Sequence, residues 1–129
     1  MSLLLLYNNQ PPTDQAVGEA RVAVESADWT GIEERLAADP AAMVRIQQAL
    51  SEIDAALDGA GLSNLEMQKA KALTGALTAL INSPEPAWKH VADLLITFWN
   101  SPAITASINA ATIIPLIGTV LYFLLNAAS

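Results

Sequence analysis

From Leu94 to Ser129 the chain runs for 36 residues without a charged side chain, while every Asp, Glu, Lys and Arg lies between Asp14 and Asp93. So long an apolar stretch is not stable when open to water. It must be covered by the rest of the chain, by neighbouring subunits or by lipid. The whole chain shows the same bias: charged residues make up 15% of it, against about 25% in ordinary soluble domains. The charges that remain are mostly acidic, 13 against 6 basic, for a net charge of −7. An acidic surface repels phosphate backbones, so nucleic acid is not an expected partner. Anionic headgroups are repelled in the same way, so any contact with a bilayer must be hydrophobic.

The spacing of apolar residues predicts an all-α chain: a short-helix bundle with an extended N-terminal arm and an apolar C-terminal helical segment. Three regions follow. Residues 1–13 form a hydrophobic arm with a Pro-Pro linker, 14–100 an acidic helical bundle, and 101–129 an uncharged helix kinked at Pro115. The arm, MSLLLLYNNQPPT, has an apolar run too short for a signal-peptide core, and Pro11-Pro12 favours an extended connector. Over 14–27, Val17, Ala20, Val24 and Ala27 recur at helical spacing, although Arg21 to Ser26 also alternates like a strand; the reading is helix. Thr30 and Glu33 suggest a capping box for a helix over 31–38. Asp39-Pro40 is a strong helix start. It leads into Met43, Ile46, Leu50, Ile53 and Leu57, spaced by threes and fours along one seam. Gly59-Ala60-Gly61 closes that helix, with glycine available for the left-handed cap. Ser63 and Glu66 form a second capping box, and Leu62 and Met67 fit a hydrophobic staple for a helix to Asn82. The two helices, 40–57 and 64–82, should form an antiparallel hairpin. Ser83-Pro84, with Glu85 at the positive end of the dipole, predicts a helix from 84 to about 99, and Ser101-Pro102 predicts another to 128.

The chemistry-bearing residues are sparse. With no cysteine and one histidine, neither thiol catalysis nor a transition-metal site is expected. His90 has Asp93 three residues on, which reads as a surface neighbour rather than a general base and its partner. Asp54 and Asp58, four apart, read as a solvated face. Gly59 to Glu66 lacks the oxygen density of a calcium loop. No phosphate loop, nucleophile elbow or dinucleotide fingerprint is present. The chain is therefore read as no enzyme, with no catalytic residue, cofactor, metal or small-molecule substrate.

Three arrangements would cover the apolar third. It could span a bilayer, although Ile113 to Leu125 covers only about 20 Å of a roughly 30 Å hydrocarbon core. It could lie between subunits: Ala103, Ser107, Ala111 and Pro115 would form a face of small residues, and Asn109 and Asn126 would hydrogen-bond across the contact. It could instead be the central helix of a monomer, but the remaining helices look too few and too short to hide it.

The opening MSLLLLYNNQPP resembles the start of small proteins encoded among the head and tail genes of tailed bacteriophages. The resemblance covers residues 1–12 and carries over no functional residue. It implies a virion structural component whose arm docks into an assembly. The expected function is thus a non-enzymatic structural component of a multi-subunit assembly, a bacteriophage virion protein. The alternative is a membrane-inserting, holin-like pore former whose last two helices enter the bilayer as a hairpin. The expected contact residues are Leu3, Leu4, Leu5, Leu6 and Tyr7 in the arm, then Trp88, Leu95, Phe98 and Trp99. In the last helix they are Ile113, Ile114, Leu116, Gly118, Leu121, Tyr122, Phe123 and Leu124. The expected partners are copies of the chain, other structural subunits or a lipid bilayer, which places the protein in a virion or at a membrane.

Overall fold

A computed structural model of the chain describes residues 14–84 and 86–128, without the side chains of Asp14 and Thr105. The described residues form seven helices and no strand: α1 (Asp14–Ser26), α2 (Ile32–Ala37), α3 (Pro40–Asp58), α4 (Asn64–Ile81), α5 (Trp88–Trp99), α6 (Pro102–Thr105) and α7 (Ala110–Ala127). The fold is all-α with an apolar C-terminal helix, as the periodicity predicts.

The hairpin in the middle of the chain forms where its capping residues place it. The Asp39 carboxylate accepts a hydrogen bond from the Ala42 amide at 3.2 Å, and the Ser63 hydroxyl accepts one from the Glu66 amide at 3.2 Å. Each satisfies one of the amides that the first turn of a helix leaves without a partner. The predicted seam of α3 is the buried one, with Ile46, Ile53 and Leu57 fully enclosed and Met43 at its margin. The left-handed glycine in the connection is Gly61, at φ 72°, whereas Gly59 has φ −102°.

Helices α3, α4, α5 and α7 surround a common core. Each packs against the next in that order, and α7 closes the ring against α3, the most extensive pairing in the molecule. Hydrogen bonds and shared pockets fix their directions. Asn109 Nδ2 donates to the Ala56 carbonyl and the Ile108 amide to the Ala60 carbonyl, so α7 begins where α3 ends. Met43, Ile81 and Trp88 line one small cavity, so α3 begins where α4 ends and α5 begins. The result is an up-down-up-down four-helix bundle. Helix α1 lies on the outside of α5, α2 bridges α3 and α7 at one end, and α6 crosses the other.

Several boundaries differ from the sequence reading. The Thr30–Glu33 capping box does not form. Gly31, at φ 78°, occupies the N-cap of α2 without a side-chain bond, and the Thr30 amide donates to the Asp28 carboxylate instead. Helix α5 begins at Trp88 rather than Pro84, with Ala87 at its N-cap; Glu85 lies outside the described residues. The C-terminal helix is interrupted earlier than expected, at residues 106–109. There the Ser107 hydroxyl accepts the Asn109 amide while Asn109 and Ile108 are held by the end of α3. Pro115 instead sits inside α7. The carbonyl it leaves without a helical partner belongs to Ala111, which is exposed to water. The break also separates Ala103 and Ser107 from Ala111 and Pro115, so these four do not share one helical face.

Candidate docking surface

Helix α7 is held at both ends by the rest of the chain. The amides and amide side chain described above tie its start to α3. At its other end Arg35 Nη1 donates to the Ala127 carbonyl at 2.7 Å and the Asp28 amide donates to the Ala128 carbonyl at 2.8 Å. These donors satisfy carbonyls that a helix end leaves open, and the guanidinium adds positive charge at the negative end of the dipole.

Eight of the 18 residues of α7 are buried, and Ile113, Ile117, Val120, Leu121 and Leu124 have no exposed surface. Their spacing is that of one helical stripe, facing α3 and α5. The opposite stripe is open: Thr112, Tyr122 and Asn126 are exposed, and Leu116, Thr119 and Phe123 are partly so. Tyr122 retains 45% of its surface, and its ring meets Phe123 edge-on at 5.9 Å. This stripe carries no charge, whereas α1, α2 and α3 together carry eight carboxylates. Ile108, 78% exposed, lies just ahead of it.

The residues expected at a contact therefore divide. Trp88, Leu95, Phe98, Trp99, Ile113, Ile114, Gly118, Leu121 and Leu124 are buried in the chain's own core. The reason is the breadth of the apolar faces of α3 and α5, which cover one side of α7 between them. Leu116, Tyr122 and Phe123 reach the surface. Leu3, Leu4, Leu5, Leu6 and Tyr7 lie outside the described residues. Asn109, expected to bond across a subunit contact, bonds within the chain.

Two other surfaces have some shape. A shallow cleft of about 530 Å³ is lined by Trp29, Trp88, Glu25, Glu33, Lys89 and His90, among others. Its indole and carboxylate groups suit a cation, and Lys89 already supplies one, 3.1 Å from Glu25. His90 is exposed there, and no ion pair joins it to Asp93, which lines the same cleft. A trough of about 420 Å³ runs along the α3/α4 hairpin between Gln47, Ser51, Thr78 and Asn82, floored by the buried Leu50 and Ile81.

The acids of α3 do more than face solvent. Lys71 Nζ on α4 lies 3.1 Å from Asp54 and 2.9 Å from Asp58, and the buried Thr74 hydroxyl donates to Asp54 at 3.0 Å. The hydrogen bond to the Asp58 carboxylate raises the Lys71 pKa; desolvation opposes it, and Asp54 adds to the rise. The four-residue spacing of Asp54 and Asp58 was visible in sequence, but the register of the hairpin was needed to place Lys71 between them. Among the described residues, no group of three or more His, Cys, Asp and Glu side chains could hold a metal ion.

Comparison with protein families, curated proteins and solved structures found no match. Helix α7 is the one helix among the described residues long and apolar enough to cross a membrane, with 18 residues and a mean hydropathy of 1.8. By length and composition it allows membrane association.

Proposed function

We propose that this chain is a non-enzymatic structural component of a multi-subunit assembly, docking through the open stripe of α7 and the N-terminal arm Leu3–Tyr7. The observation that carries the reading is the stripe itself: an uncharged surface with two adjacent aromatic rings, on a helix hydrogen-bonded to the chain at both ends, in a protein of net charge −7. Aromatic residues within a charge-poor patch are the usual makings of a protein contact. The resemblance of residues 1–12 supports a bacteriophage particle as that assembly, with copies of the chain and other structural subunits as partners.

One observation favours a second reading. The length and hydropathy of α7 fit a membrane-inserting, holin-like protein in which α5 to α7 leave the bundle as a hairpin. Against it stands the cost of release: leaving the bundle would uncover the apolar seams of α3 and α4 that α5 and α7 now bury.

Sedimentation separates the two. In its native source the chain should co-sediment with large particles at a fixed ratio. The double variant Leu116→Glu, Phe123→Glu should remain helical and lose that association. Recovery of the wild-type chain only free or only in membranes, or dye release from liposomes by the purified chain, would contradict the structural role.

A further inference from the structure

We infer that in the free chain the open stripe of α7 is the seat of the chain's own N-terminal arm, with Leu3–Tyr7 lying over Leu116, Thr119, Tyr122 and Phe123. Three features converge on this occupant. The first is position. The Lys89–Glu25 ion pair joins the start of α5 to the end of α1, so α1 runs against α5. The bond from the Asp28 amide to the Ala128 carbonyl puts the end of α1 beside the end of α7. The start of α1 at Asp14 is therefore level with the start of α7, where the stripe begins.

The second is reach. Tyr7 and Leu3 precede Asp14 by 7 and 11 residues, which is about 23 to 36 Å of extended chain. Thr112 to Phe123 spans about 17 Å of helix, so the arm can cover the stripe with length to spare. Pro11-Pro12 favours the extended backbone this requires. The third is chemistry. Residues 1–13 carry no charge, and neither does the stripe, whereas the helix faces on the acidic side of the bundle would place carboxylates against leucines. A tethered arm also acts at an effective concentration that a second copy does not match in dilute solution. The arm and the stripe would then be two halves of one contact, closed within the free subunit and exchanged with neighbours on assembly.

That consequence rests on the docking role proposed above; the closed contact does not, and is tested on the isolated chain. Because the protein has no cysteine, Leu5→Cys with Thr119→Cys gives a single pair. The control is Leu5→Cys with Gln68→Cys, an exposed position on α4, diagonally across the bundle. Under mild oxidation at micromolar protein, the first pair should close within the monomer about ten-fold faster than the control. Equal rates, or disulfide-linked dimers in place of closed monomers, would overturn the inference. Should circular dichroism show that the first pair is misfolded, Leu5→Cys with Thr112→Cys, at an exposed site, takes its place under the same criteria. Failure here leaves particle association intact, and failure of particle association leaves the closed arm intact.

Discussion

At the scale of single residues, the stability of the bundle depends on a few donors at helix ends. Arg35 caps the Ala127 carbonyl at the end of α7 from another helix, and Asp39 caps the first turn of α3. Asp39→Ala should cost about 1 kcal/mol, as side-chain N-caps usually do, read as a lower urea midpoint at unchanged slope. Lys71 should matter less, since it is a third exposed and its carboxylate partners are more so. Lys71→Met should cost about 1 kcal/mol or less. Its signature is in pH. A lysine whose pKa is raised on folding contributes fully below its unfolded value of 10.5 and loses that contribution as pH climbs through the raised one. The wild type should therefore shed stability above pH 10.5 that the Met variant has already lost, so the two urea midpoints should converge at high pH. The buried indole N–H of Trp99 finds no acceptor among the described residues. Trp99→Phe removes that orphan donor while keeping an aromatic ring, so it should cost less than truncation of an aliphatic neighbour.

At the scale of helices, α7 has two faces that should respond differently to substitution. Leu121→Ala, on the face against the bundle, should cost about 2–5 kcal/mol. Gly118→Leu should cost about 1–3 kcal/mol by overpacking. Phe123→Glu, on the open stripe, should release the arm but leave the bundle folded, so it should cost clearly less than Leu121→Ala; a loss as large as that of Leu121→Ala would mean that the stripe is core. The local signals behind this architecture were uneven. Asp39-Pro40, Ser63 and the α3 seam state their roles within a few residues, and the hairpin could be read from them. Thr30 and Glu33 satisfied the same rule, yet their cap lost to a left-handed Gly31 and an Asp28 turn. Pro115, where a kink was expected, lies inside α7, while Ser107 and Asn109 interrupted the helix earlier by bonding across the fold. Those outcomes depend on what lies beside each residue in space, which spacing along the chain does not encode.

At the scale of the molecule, the same limit explains the site. Composition singled out the uncharged third of the chain, but not which of its residues face inward. The remaining helices looked too few to cover it. In the fold, α3 and α5 enclose one side of α7, and what remains is a narrow stripe that includes Leu116, Tyr122 and Phe123. The central claim is that α7 is a true member of this bundle in water, not a segment awaiting lipid. Native-state hydrogen exchange in detergent-free buffer tests it most directly. The amides of Gly118 to Leu121 should exchange as slowly as those of Leu50 to Ile53, both opening only with global unfolding. Fast exchange across α7 beside a protected α3, slowed only when micelles or lipid are added, would contradict it.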